Sequence, residues 1–137
     1  MSIPILIIKP IRLILLILIL AACNQSESAY HKISPQEFEA KLNTLKNVQL
    51  VDVRSPGEYQ AGHLENAVNI NFMDEDFREQ ISGLDIKKPV FVHCAAGVQG
   101  GRSNKTAMLL EELGFNEIYE LEGGITNWIK AGLETVK

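Results

Sequence analysis

Apolar runs and amphipathic stretches alternate along this chain from about residue 34 to residue 132. Val48-Gln49-Leu50-Val51-Asp52-Val53 and Val90-Phe91-Val92 are mostly apolar and rich in β-branched and aromatic residues, the pattern of strands covered on both faces. Ala67 to Ile70 and Glu117 to Leu121 predict two further short strands. Between these runs the apolar positions change to helical spacing: Phe38, Leu42 and Leu45; then Ala107, Leu110 and Leu113, widened by Met108 and Leu109; then Ile125, Trp128 and Ile129. Ser34-Pro35-Gln36-Glu37 and Ser55-Pro56-Gly57-Glu58 each offer a capping serine, a proline at the first helical position and a glutamate at the third, so each predicts a helix start. Asp74-Glu75-Asp76 predicts a helix start whose acids complement the dipole, and Gly62, Gly83 and Gly114 predict helix ends. Strand and helix in alternation imply an α/β fold, an open parallel sheet of about five strands with helices on both faces.

The first residues follow a different pattern. Leu13 to Ala22 is an unbroken apolar run behind Lys9 and Arg12, the length of a signal-peptide core and short for a membrane span. It ends in Leu20-Ala21-Ala22-Cys23, which resembles the lipobox of bacterial lipoproteins. The resemblance implies a signal peptide over 1–22, a lipid on Cys23 and a tether over 23–29, leaving one domain over 30–137. It also implies export and lipid anchoring to a bacterial membrane, on the periplasmic face or at the cell surface. An uncleaved anchor is the competing reading, and it tethers the domain equally.

With 13 basic and 17 acidic residues the net charge is −4, and a chain without residues 1–22 loses two of the positive charges. No basic stripe is present, so nucleic acid is not an expected partner. Three scattered histidines have no metal-ligand spacing, and neither a metal nor another cofactor is expected. His63, between Gly62 and Leu64, reads as a packed histidine, and His31 as an exposed one.

With Cys23 assigned to a lipid, Cys94 has no cysteine to pair with. It ends the strand beginning at Val90, and Ala95-Ala96-Gly97-Val98-Gln99-Gly100-Gly101-Arg102-Ser103 leads from it into a helical run from Asn104 to Leu113, with Ser103 in the capping position. Glycines let backbone N–H groups converge, and the helix terminus adds partial positive charge, so the segment predicts an anion cradle with Cys94 as an activated nucleophile. An inert buried cysteine is the alternative. Asp52 and Arg54, at the carboxyl end of the Val48–Val53 strand, and Glu58 in the helix start after it read as an ion-pair set that fixes the strand-to-helix turn.

Taken together, several pieces resemble the rhodanese family of single-domain sulfurtransferases. They are Val51-Asp52-Val53-Arg54-Ser55-Pro56 with Glu58-Tyr59, Gly62-His63-Leu64, Ala67-Val68-Asn69-Ile70, Val92-His93-Cys94, Gly101-Arg102-Ser103, Leu113-Gly114-Phe115, and Leu121-Glu122-Gly123-Gly124-Ile125 with Trp128. The resemblance implies that Cys94 attacks the outer sulfur of thiosulfate or a related donor. It then carries a persulfide that a thiophilic acceptor removes, while residues 95–103 bind substrate and Arg102 holds an oxygen pair. Small-molecule sulfur donors and acceptors are the implied partners, together with an unidentified redox protein that keeps Cys94 reduced. The family loop usually has four residues between cysteine and arginine, and phosphatases and arsenate reductases of the same fold have five. Here seven separate Cys94 from Arg102. Aligning from the helix makes Val98, Gln99 and Gly100 an insertion, since a surface loop absorbs extra residues more readily than a packed helix turns its face. Two alternatives stay open at this stage: a non-catalytic binding module, and a phosphatase or arsenate reductase with an enlarged loop.

Overall fold

A computed structural model describes residues 27–137; the expected signal peptide, Cys23 and the first part of the tether lie outside the described residues. Five strands, β1 (Tyr30–Ile33), β2 (Gln49–Asp52), β3 (Val68–Asn69), β4 (Val90–His93) and β5 (Ile118–Leu121), form one sheet in the order β1-β5-β4-β2-β3. Every pairing is parallel. The helices are α1 (Pro35–Thr44), α2 (Pro56–Ala61), α3 (Phe77–Ser82), α4 (Arg102–Glu112) and α5 (Gly124–Lys130).

Alternation along the strands divides the core into two layers. Val51, Val90, Val92 and Ile118 meet Phe77 and Ile81 of α3 and Ala107 and Leu110 of α4. On the opposite face Leu50, Phe91, Tyr119 and Leu121 meet Phe38 of α1 and Ile125 and Trp128 of α5. Phe38 sits edge-on to Phe91 with ring centres 5.0 Å apart, and the Trp128 indole N–H donates to the Glu134 carbonyl at 2.8 Å. Both serine caps form: Ser34 Oγ accepts from the Glu37 amide, and Ser55 and Glu58 cap each other reciprocally.

Strand β1 leaves no periodic signal in the sequence. Its residues Tyr-His-Lys-Ile show no clear alternation, yet the strand pairs with β5 along its length, from Tyr30 with Ile118 to Ile33 with Leu121. Ser28 and Ala29, assigned to the tether, both hydrogen-bond to Glu111 of α4. Two residues of the expected apolar stripes face solvent instead: Met108 is 59% exposed and Ile129 is 56% exposed. Each is next in sequence to a buried residue, and one residue is about 100° around a helix.

Candidate active site

The carboxyl ends of β2 and β4 converge on Cys94, the free cysteine among the described residues. Its neighbour His93 pairs in register with Asp52 and is fully buried. His93 Nδ1 lies 3.3 Å from the Cys94 carbonyl, and Nε2, 3.6 Å from Asp52 Oδ2, has no hydrogen-bond partner. Burial pushes the His93 pKa down against the opposing pull of Asp52, which favours the neutral ring. A neutral ring carries one hydrogen for two acceptors, so one contact stays unsatisfied.

The segment after Cys94 curls back on itself. Gly97 adopts φ +53° and its N–H points to Cys94 Sγ at 3.3 Å. The loop carbonyls are tied to the start of α5: Cys94 O accepts from the Ile125 amide at 2.9 Å, and Ala95 O accepts from the amide and hydroxyl of Thr126. Gly97 O accepts from Lys32 Nζ at 3.1 Å. In a trans peptide the next N–H points opposite to the carbonyl, so these ties turn the amides of Ala95, Ala96 and Val98 the other way. None of the three has a protein acceptor among the described residues, and they are free to receive an anion.

Val98, Gln99, Gly100 and Gly101 form a tight turn closed by Gly101 N–H to Val98 O at 3.0 Å, with Gly100 at φ +74°. Val98, Gln99 and Gly100 are exposed, and the Gly100 amide donates to Asn104 Oδ1. The extra residues therefore project as a surface turn, while Gly97 stays seated against the sulfur.

Helix α4 begins at Arg102, with Gly101 as its cap. Ser103 is thus the second residue of the helix and not its cap. The helix starts two residues earlier than expected, at Arg102 where Asn104 was expected, and the Ser103 hydroxyl lies at the sulfur, with Cys94 Sγ and Ser103 Oγ 3.1 Å apart. Ser103 Oγ donates at 2.6 Å to Glu120 Oε1, a fully buried carboxylate on β5. Glu120 Oε2 accepts from the Tyr30 hydroxyl and lies 3.5 Å from Lys32 Nζ. Burial, with Glu120 adding to it, pushes the Tyr30 pKa up to about 12, so this hydroxyl keeps its hydrogen throughout the neutral range.

The three residues expected as one ion-pair set divide into two pairs. Arg54 holds Asp52 through Nε and Nη2 and donates to the Gly62 carbonyl. Glu58 instead receives both arms of Arg102, at 2.8 and 2.9 Å. The Arg102 fork, expected to face a substrate oxygen pair, is occupied by this carboxylate. Sequence reasoning passed over Glu120, Lys32, Tyr30 and Asn104. Glu120 alone left a signal: a charge within the apolar run Ile118-Tyr119-Glu120-Leu121 must find partners if that strand is buried.

A strand-cradle-helix unit around one cysteine now stands in a β1-β5-β4-β2-β3 parallel sheet. The family description "Rhodanese-like domain" matches residues 34–131. The chain belongs to the rhodanese-like family. The thiosulfate sulfurtransferase GlpE of Shewanella oneidensis is 33% identical to it over 104 residues, covering 76% of this chain and 97% of that protein. The tRNA uridine(34) hydroxylase of Cytophaga hutchinsonii is 39% identical over 105 residues, but the match spans only 31% of that longer protein. Among solved structures, a rhodanese-related protein of Thermoplasma volcanium superposes with a TM-score of 0.67 at 32% identity, covering 78% of this chain and 98% of the other. The rhodanese-like fold thus accounts for most of the described residues.

Glu58 supplies a pH test of the Arg102 contact. Hydrogen bonds from Arg102 are the main cause that lowers its carboxyl from 4.5 to about 2. A folded value below the unfolded one means the contribution is present above about pH 4.5 and is lost as pH falls through about 2. Glu58→Gln should therefore lower the melting temperature at neutral pH, and the gap to the unsubstituted protein should close as the solution is acidified. The pair is partly exposed, so added salt should narrow the neutral-pH gap as well.

Proposed function

We propose that this protein is a sulfurtransferase that takes sulfane sulfur from thiosulfate or a related donor onto Cys94 and passes it to a thiophilic acceptor. The observation that carries the reading is the set of backbone donors in the loop that follows Cys94. The Gly97 N–H points to Cys94 Sγ, the Ala95, Ala96 and Val98 amides are free, and α4 begins beside them. Backbone donors of this kind stabilise a thiolate, a persulfide and an incoming oxyanion alike.

In the first displacement the Cys94 thiolate bonds to the outer sulfur of thiosulfate, the sulfur–sulfur bond breaks, and sulfite leaves with the bonding pair. The persulfide anion carries one negative charge, so the charge balances. In the second, an acceptor such as cyanide or a thiolate bonds to the outer sulfur and Cys94 leaves as thiolate. Cys94 is only 4% exposed, so bringing a donor to its sulfur requires the surrounding side chains or loop to give way. The extra residues lie in an exposed turn closed on itself, and Gly97 keeps its contact with the sulfur, which supports reading them as an addition at the surface and not as an enlarged phosphate or arsenate cradle. The lipobox-like Leu20 to Cys23 extends the reading to a lipid-anchored, exported enzyme.

Mass spectrometry of the protein after incubation with thiosulfate tests the proposal. A gain of about 32 Da on the Cys94 peptide, with stoichiometric sulfite release, is the expected result for a covalent sulfur intermediate. Neither product forming would remove the sulfurtransferase reading and leave the binding-module alternative.

A further inference from the structure

The cradle accounts for stabilising a thiolate but not for where the thiol proton goes. Cys94 is buried, and bulk water is a poor immediate acceptor for it. A continuous hydrogen-bond chain leads inward: Cys94 Sγ to Ser103 Oγ at 3.1 Å, and Ser103 Oγ to Glu120 Oε1 at 2.6 Å. Ser103 has one hydroxyl hydrogen. While it goes to Glu120, the oxygen turns a lone pair to the sulfur, and the chain runs S–H to Ser103 to carboxylate.

We propose that Glu120 is the proton acceptor for Cys94, acting through the Ser103 hydroxyl. Two hydrogens move together: the thiol hydrogen bonds to Ser103 Oγ as the original hydroxyl hydrogen passes to Glu120 Oε1. The product is a thiolate that accepts from Ser103, which in turn accepts from a neutral Glu120 acid. Every hydrogen bond of the chain survives with its direction reversed, and the negative charge moves from the carboxylate to the sulfur with no change in total. Glu120 keeps the proton through both sulfur displacements and returns it when the free thiol re-forms. The assignment rests on the reading of Cys94 as a nucleophile.

The groups around the chain position Glu120, holding Oε2 from β1 and leaving Oε1 to Ser103. From β1, the Tyr30 hydroxyl donates to Glu120 Oε2, and Lys32 Nζ, 3.5 Å from that oxygen, also donates to the carbonyl of Gly97. Lys32 thus links the carboxylate to the loop that holds the sulfur. From α4, Asn104 donates to the Tyr30 hydroxyl and receives from the Gly100 amide, tying the same network to the surface turn. The β4 neighbour in register is the apolar Val92. Arg102 is paired with Glu58, and Asp52 with Arg54. Among the described residues Glu120 is therefore the carboxylate that this chain connects to the sulfur.

Glu120 is a positioning and proton-accepting group, so its test reads thiolate formation directly. The full chain in detergent is alkylated with iodoacetamide across about pH 5 to 9, and the rate is followed by mass spectrometry on the Cys94 peptide, since only the thiolate reacts appreciably. Glu120→Gln, similar in shape and unable to take the proton, should lower the rate near pH 7 about tenfold and move the pH profile upward. Ser103→Ala should act in the same direction, and Ser103→Thr, which keeps a hydroxyl, should return the profile to that of the unsubstituted protein. Superposable profiles for the unsubstituted protein and Glu120→Gln would overturn the proposal. If Glu120→Gln fails to fold, the Ser103→Ala and Ser103→Thr pair decides alone, and matching profiles for those two would overturn it equally. Alkylation needs no sulfur donor, which separates this inference from the sulfurtransferase reading. A Glu120-dependent profile without persulfide would leave the proton path and remove the substrate, and the reverse result would do the opposite.

Discussion

Cys94→Ser is expected to abolish persulfide formation and sulfite release, lowering turnover by at least about a thousandfold, as removal of a covalent nucleophile does. Serine fills nearly the same volume and can hydrogen-bond with the Gly97 amide and Ser103, so the fold should survive. The loss is chemical: an alcohol is a far weaker nucleophile near neutrality and has no sulfur on which to build the intermediate. The measurement is sulfite release from thiosulfate, beside a thermal melt that shows the variant folded. A folded Cys94→Ser protein that released sulfite at the original rate would end the mechanism proposed above. Preserved partner binding in an inactive variant would fit the binding-module reading only if the unsubstituted protein also formed no persulfide.

The second large effect concerns stability. Gly124→Ala is expected to cost about 3 kcal/mol, the sum of a left-handed backbone and forced overpacking. In a domain of this size that lowers the melting temperature by roughly 10 °C. Gly124 has φ +59°, and a Cβ there would lie 2.5 Å from the Cys94 carbonyl oxygen and 2.6 Å from the Ala95 carbonyl carbon and oxygen. Backbone atoms cannot swing aside as a flexible side chain can. The added methyl would push the Cys94–Ala95 peptide off α5 and break the Ile125 amide contact that aims the next N–H into the cradle. Gly132→Ala is the control, because Gly132 shares a positive φ of +79° with nothing within 4 Å of its Cβ. It should lose only the backbone part, about 1 kcal/mol. Equal losses for the two variants, measured by thermal or urea unfolding, would show that loop and helix do not press together as described.

These two glycine positions show how far the chain could be read in one dimension. Gly123-Gly124 is legible from sequence only as a turn, since local composition says that the backbone bends and not what approaches it. The contact that matters joins residues about thirty positions apart, Cys94 and Ala95 on one side and Gly124 on the other. Glu58 is a similar case. Its capping role is written in Ser55-Pro56-Gly57-Glu58, because a cap involves three or four neighbouring residues. Its second role, receiving Arg102, depends on where α4 passes α2.

By itself the sequence determined the α/β class, four of the five strands and the helix starts marked by serine and proline, and it singled out Cys94 as the candidate centre of a site. All of these rest on periodicity and on neighbouring residues, which survive without knowledge of packing. Tertiary structure decided that Tyr30–Ile33 is a strand, since its polar edge pattern takes meaning only from pairing with β5. It also decided that Ser103 faces the sulfur and leaves the cap to Gly101, that Arg102 turns to Glu58, and that Glu120 is buried behind Ser103. Each of those outcomes is a choice among partners far away in the chain, and a polar side chain settles on the one that the packed sheet and helices bring within reach.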